Sequence, residues 1–246
     1  MTTSMVRTLI AALAAGLAGT ASASAQSIAE RANRAELTQG GFNLGLFVEG
    51  ERDGFMRFGW YTDADGVHLW DRSMIISSSD YESFAALLDP VDLTPRSVAL
   101  RYYSGTRYYL VDAAFGDGQV SGSRSLHSPG EPTQSEPIDH LRRAGAIVRG
   151  AVFMLAPILD LEPGDSVSFD WWVPMRDVHE TVSLTATGVV EIDTPAGRFE
   201  AVLIEQRGGT PGNDIYVDRE SGRVVRIDVV GRAVQYLALP DQDAAG

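Results

Sequence analysis

The sequence predicts a mainly β protein, an antiparallel meander of roughly ten to twelve strands interrupted by two helices. Three observations carry this. Apolar residues recur with a period of two along most of the chain, as they do in strands buried on one face. Turn clusters containing Gly punctuate those runs at hairpin spacing. Only two stretches show the helical period, so the strands do not alternate with helices as they would in a βαβ fold.

The chain opens on an export signal. Met1 to Arg7 carries one positive charge, Leu9 to Ala18 is apolar and rich in alanine, and Ala23-Ser24-Ala25 places small residues before Gln26. The apolar run is too short to span a bilayer, so 1–25 reads as a cleavable signal peptide. With no cysteine in the chain there is no lipid anchor at the cleavage site, no disulfide and no thiolate metal site. The expected product is soluble, periplasmic or secreted, and not membrane-spanning. It has a polar leader over 26–41, one β-rich domain over 42–240 and a disordered tail over 241–246.

The strands follow in order. Phe42, Leu44, Leu46 and Val48 alternate with smaller or polar residues, and Met56, Phe58 and Trp60 do the same. Arg52-Asp53-Gly54 and Asp63-Ala64-Asp65-Gly66 supply the turns. Strands over 97–103 and 107–112 flank Ser104-Gly105-Thr106, and Asp117-Gly118 turns the chain again. In the second half Val167, Phe169, Trp171 and Val173 alternate, as do Val182 and Leu184. Strands over 189–192 and 199–205 flank Pro195-Ala196-Gly197, strands over 215–218 and 224–229 flank Glu220-Ser221-Gly222, and a last strand covers 233–239.

Both helices are read from caps and stripes. Ser79 and Glu82 form a capping box, and Tyr81, Phe84, Ala85 and Leu88 share one face before Pro90. A second helix starts near Pro137 and places Ile138, Leu141, Ile147 or Val148, and Val152 on one stripe. The apolar run 151–161, interrupted by Pro157, is a helix end with a buried connector. The segment 121–136, rich in Ser, Pro and Gly, is the one long loop.

Charge narrows the partners. The net charge is −13, and cleavage after Ala25 removes Arg7 and no acid, leaving −14. Such a surface repels nucleic acid and anionic membrane faces. All 20 basic residues are arginines, which fits a GC-rich genome better than any function.

Catalytic and metal motifs are missing. Asp63-Ala64-Asp65-Gly66 resembles the start of a calcium loop, but Arg72 stands where the bidentate Glu belongs, so a plain hairpin turn is the better reading. His179-Glu180 begins like a zinc-protease motif, yet Ser183 replaces its second His. No Gly-x-Ser-x-Gly elbow or phosphate loop occurs, and no carboxylate pair stands out. No cofactor is expected, and the protein reads as non-enzymatic. Aromatics are the one enrichment. Arg101-Tyr102-Tyr103 mirrors Arg107-Tyr108-Tyr109, and Trp60-Tyr61, Trp70 and Trp171-Trp172 lie on other strands. Cross-strand pairing accounts for each pair alone. Neighbours such as Trp171 and Trp172 face opposite sides of a sheet, so one of them leaves the main core.

A resemblance completes the reading. Residues 193–201 (Asp-Thr-Pro-Ala-Gly-Arg-Phe-Glu-Ala) and 215–226, with Leu161-Glu162-Pro163-Gly164-Asp165 and Asp92-Leu93-Thr94-Pro95-Arg96-Ser97, resemble a family of exported bacterial proteins of unknown function. The shared residues are turn residues, which bear on architecture and not on chemistry. The resemblance covers 42–239 and implies a half-barrel like that of periplasmic lipoprotein carriers, a curved antiparallel sheet with both helices packed on the concave side. On that analogy the expected function is binding of an apolar or amphipathic envelope ligand, a lipid or lipoprotein acyl chain. Phe58, Trp60, Trp70, Leu141, Val148 and Trp171 would line the gap between sheet and helix. An envelope scaffold with a filled core is the second reading, and a hydrolase of envelope polymers the third.

Overall fold

The structure, a computed structural model, describes residues 28–116 and 118–240. The expected signal peptide, the first two residues of the leader and the expected tail lie outside them. One sheet of 15 strands dominates. Its first half comprises β1 (Gln39–Val48), β2 (Glu51–Thr62), β3 (Val67–Ile75), β4 (Asp80–Leu88), β5 (Pro95–Ser104), β6 (Arg107–Phe115), β7 (Gln119–His127) and β8 (Gln134–Leu141). The second half comprises β9 (Ile147–Val148), β10 (Ser166–Val173), β11 (Val178–Thr194), β12 (Gly197–Arg207), β13 (Asn213–Asp218), β14 (Val224–Val229) and β15 (Val234–Ala238). Among the described residues there are two short α-helices, α1 (Ile28–Arg31) and α2 (Val152–Ile158), the latter preceded by a 3-10 turn over Arg149–Ala151.

The spatial order is β8 to β1, then β15 to β9, so each half is a meander and the two join where β1 pairs with β15. Every pair is antiparallel except β9 with β10. This order forces the curvature. Laid flat, the 15 strands would separate β8 from β9 by about 67 Å at ordinary strand spacing. The connection from Leu141 to Ile147 spans at most about 23 Å. A sheet whose two edges are tied by so short a link must curl toward a barrel.

Among the described residues no backbone ladder closes the remaining seam; side chains do. His140 Nε2 meets Asp177 Oδ1 at 2.8 Å, Arg143 Nε meets Asp170 Oδ2 at 2.8 Å, and Phe115 packs edge-on against Trp172 at 5.3 Å. Asp177 Oδ1 also accepts from Trp172 Nε1 at 2.8 Å.

Inside the curve lies the core. Met154, Leu155 and Ile158 of α2 are fully buried there, and Phe153 meets Phe58 edge-on at 5.8 Å. The leader is not merely polar: Ile28, Ala29, Ala32 and Leu37 are buried against the same core, and Asn33 N donates to the Ile158 carbonyl.

The β-rich antiparallel class stands, but the sheet has more strands than the roughly ten to twelve expected from hairpin spacing. Neither helix lies where its stripe placed it. The segment 80–88 is strand β4, because Glu82, Phe84, Ala86 and Leu88 also alternate, and pairing with β3 and β5 overrides local helix propensity. Pro137 sits in β8, an edge strand, where a missing N–H is tolerated. The helix begins later, inside the apolar run at 151–161. The expected long loop is β7 and β8 with a short turn over 128–133, and the two expected strands around 182–192 are the single strand β11. The first turn also shifts: Glu49 and Gly50, both with positive φ, reverse the chain, so Arg52 to Gly54 lies within β2.

Candidate functional site

A small chamber of about 80 Å³ opens in the concavity where β2 to β5, the 3-10 turn and β10 converge. Its apolar wall is Phe58, Phe84, Leu100, Phe153 and Trp171, and its polar lining is Asp71, Glu82, Arg149 and Asn213. Strand parity explains the acids. Val67, Leu69 and Asp71 share the inner face of β3, and Glu82 and Phe84 share that of β4. Across the ladder Ser73 lies opposite Glu82, and Asp71 opposite Phe84, which makes the two acids diagonal neighbours.

Their partners are few. Asp71 is 8% exposed and accepts a hydrogen bond from Ser73 Oγ at 2.7 Å. Glu82 and Arg149 make no hydrogen bond or ion pair among the described residues, although each feels the other's charge. The Arg149 guanidinium stands 6.0 Å from the centroid of the Trp171 ring. Asn213, buried, donates to Gln206 Oε1 at 2.7 Å; behind it, Gln206 Nε2 is wholly buried without an acceptor.

Burial sets the protonation. It raises the Asp71 carboxyl from 3.8 to about 8, and the Glu82 carboxylate adds to the rise, while Ser73 and Arg72 oppose it. Burial also raises Glu82, against the pull of Arg149. Arg149 is lowered by burial although Glu82 and Glu180 favour its charge, and Tyr236, whose phenol feels Asp71 and Glu82, is raised mainly by burial. At neutral pH Asp71 is therefore a neutral acid beside a cation and a second carboxyl.

The six residues expected to line one gap are dispersed. Phe58 and Trp171 border the chamber. Val148 is completely buried in β9, and Trp60 is buried beside Gly40 and Pro157 at a separate cleft, its Nε1 donating to the Glu36 carbonyl. Trp70 has the opposite strand parity and lines a shallow outer groove of about 790 Å³ with Tyr61, His68 and Leu87. Leu141, 80% exposed, ends β8 in solvent.

The indoles have a structural task as well. Each of Trp60, Trp70 and Trp171 lies over a glycine of a neighbouring segment: a Cβ on Gly40, Gly59 or Gly209 would come within 2.1, 2.5 and 2.0 Å of the respective ring. Asp63, Asp65 and His68 keep their ligand atoms within 4.8 Å of one another, but the two acids belong to the β2–β3 turn and His68 stands just after it in β3. Asp63 accepts from Asp65 N and His68 Nε2, and its own N–H donates to the Gly66 carbonyl.

The chamber's polar residues escaped the sequence reading. A signal was there: Asp71 and Glu82 stand in phase with apolar residues, and Arg149 sits within the apolar stretch from Ile147 to Leu161. A charged side chain on a buried phase is either paired or functional.

No family model matches the chain, and no curated protein matches it. Among solved structures it is similar to a β-barrel-like protein of domain of unknown function DUF1849 from Brucella abortus. The TM-score is 0.46 at 10% identity, with 83% of this chain and 97% of that chain covered. At that level no residue role, ligand or activity transfers. Fold and chamber define a β-rich, curved-sheet protein with a small polar-floored cavity. No described helix is long and apolar enough to cross a membrane.

Proposed function

We propose that this chain is an exported, non-enzymatic binding protein of a bacterial envelope whose chamber takes the polar end of a small amphipathic ligand. One observation carries the reading: Arg149 and Glu82, which line the chamber and are only partly exposed, make no hydrogen bond among the described residues. Holding a charged group unpaired in a largely desolvated chamber is costly, and a ligand whose polar end bonds Glu82 recovers part of that cost. Phe58, Phe84 and Phe153 beside them suit an apolar stem.

At about 80 Å³ the chamber lies well below the roughly 300–1,000 Å³ of drug-sized sites, so it holds a head group and not a whole acyl chain. Met175 separates it from a second cleft of about 200 Å³ on the inner face of β6 to β8, lined by Tyr109, Val111 and Leu126. The stem of an amphiphile runs past Met175 into that cleft. The same volume argues against a polymer hydrolase, although a carboxyl pair with one member kept neutral is an acid–base pattern. An envelope scaffold is the second reading, supported by the packing of Trp60 and Val148 into the core.

Two measurements test the proposal. Mass spectrometry of native protein from the envelope fraction should give a chain starting at Gln26, and solvent extraction should release a bound small amphiphile. Adding six-carbon amphiphiles with amine, carboxylate or hydroxyl heads should raise the melting temperature for at least one head group, by the mass-action stabilisation of a ligand that binds only the folded state. If none of the three has any effect and nothing is extracted, the scaffold reading replaces this one.

A further inference from the structure

Resting on the reading that the chamber takes a ligand's polar end, we propose that this end is an ammonium: the site is built for a small aliphatic primary amine seated between Glu82 and Asp71. Arg149 is the one cationic donor lining the chamber, and it faces the Trp171 ring at 6.0 Å. The other polar groups offer oxygens. Glu82 is acceptor-only when ionised, and Asp71 meets only the Ser73 hydroxyl and the Arg72 backbone N–H as donors. Asn213 uses its side-chain N–H on Gln206, so its side-chain Oδ1, which accepts no hydrogen bond among the described residues, is left for the chamber. An ammonium brings three donors and no acceptor, which answers this excess.

Charge points the same way. With Asp71 protonated the cluster is neutral, Glu82 offsetting Arg149; once Asp71 ionises, two carboxylates against one guanidinium leave one negative charge in excess, which a monovalent cation cancels. An anionic head would face the Glu82 carboxylate and hold Asp71 in its neutral form. The phenyl faces of Phe58, Phe84 and Phe153 complete a setting that attracts cations and accepts an apolar stem.

The proton balance follows. Asp71 is surrounded by Glu82 of β4, Tyr236 of β15, Arg149 of the 3-10 turn, and Arg72 and Ser73 of its own strand. Near neutral pH it enters as a neutral acid. When the ammonium arrives, the Asp71 O–H bond breaks, the proton leaves to solvent, and the new carboxylate pairs with the ligand. No bond forms to the amine, and the site ends electrically neutral. Binding therefore releases up to one proton per ligand.

The test is calorimetric titration of the mature protein at pH 7 with hexylammonium, hexanoate and hexanol, each in phosphate and in HEPES, whose ionisation enthalpies differ. Hexylammonium should bind at least tenfold more tightly than hexanol, hexanoate should bind least, and the two buffers should report proton release. Asp71→Asn should abolish the release, and Glu82→Gln should weaken hexylammonium at least tenfold. Should Glu82→Gln fail to fold, the ranking on the unaltered protein decides. Hexanoate or hexanol binding as tightly as hexylammonium, or hexylammonium binding without proton release, overturns the amine assignment and leaves the chamber reading intact. Binding of none of the three ends both.

Discussion

Replacing Asp71 by Asn removes a buried ionisable group while keeping its shape, and the structure sets the size of the effect. Asp71 is 8% exposed, and burial together with the Glu82 charge moves its carboxyl from 3.8 to about 8. Its folded value lies above its unfolded one, so the folded chain holds a proton that the unfolded chain has released. The resulting loss of stability is absent below about pH 4 and grows by about 1.4 kcal/mol per pH unit until about pH 8. Across the whole window that is roughly 6 kcal/mol, an upper bound because Glu82 shares the proton. Asn cannot ionise, and its carbonyl still accepts from Ser73. Asp71→Asn should therefore exceed the parent by only about 1 kcal/mol at pH 4.5 and by several kcal/mol at pH 8, about 10 °C in melting temperature for a chain of this size. Urea denaturation of both proteins at pH 4.5, 6 and 8 reads the difference directly and cancels the titrating groups that do not feel Asp71. Equal pH slopes, or a variant weaker than the parent at pH 8, would refute the buried neutral acid.

Three further outcomes are expected. Gly209→Ala puts a Cβ 2.0 Å from the fully buried Trp171 ring, which has nowhere to retreat, and should cost about 1–3 kcal/mol in chemical denaturation; a loss under half a kcal/mol would show that the ring can shift. Gly222 has φ +65 with open space around it, so Gly222→Val should cost about 1–2 kcal/mol through backbone strain alone while Gly222→Asn costs clearly less, and equal losses would point to a steric cause. Burial opposes charge on His140, but the Leu141 carbonyl and the Asp177 carboxylate outweigh it and raise its pKa. That stabilisation is complete below about pH 6.5 and fades as pH climbs through the raised value. His140→Gln should thus lose about 1–2 kcal/mol at pH 5.5 and little at pH 9, and a loss independent of pH would remove the charged link from the seam.

What could be read in the sequence was whatever depends on near neighbours. The turns at Gly66, Gly105, Gly197 and Gly222 carry positive φ as their residue types required, and the alternation of Phe42, Leu44 and Leu46 placed them inside. Segments with two periods at once misled. Tyr81-Glu82-Ser83-Phe84-Ala85-Ala86-Leu87-Leu88 satisfies a helical stripe and a strand alternation equally, and only its neighbours β3 and β5, which are remote from any local cue, decide between them. Pro137 misled by its residue type: it starts helices and also tolerates sheet edges, and which holds depends on where the sheet stops. The chamber was harder still, because it joins β3, β4, the 3-10 turn and β13, and no short stretch of chain contains more than two of its polar residues.

The pairing of β1 with β15 has a consequence for how the chain reaches this state. Leu44 lies opposite Ala238 and Val48 opposite Val234, so the ladder that unites the two meanders is the most non-local in the molecule. Hairpins within each half can form early, but this central zipper must await the final strand, and such loop closures slow folding. Until then β1 and β14 each carry an open edge with bare N–H and C=O groups, the surface that recruits other chains. Nascent or truncated chains that lack 234–238 should therefore pair with one another through those edges instead of staying monomeric.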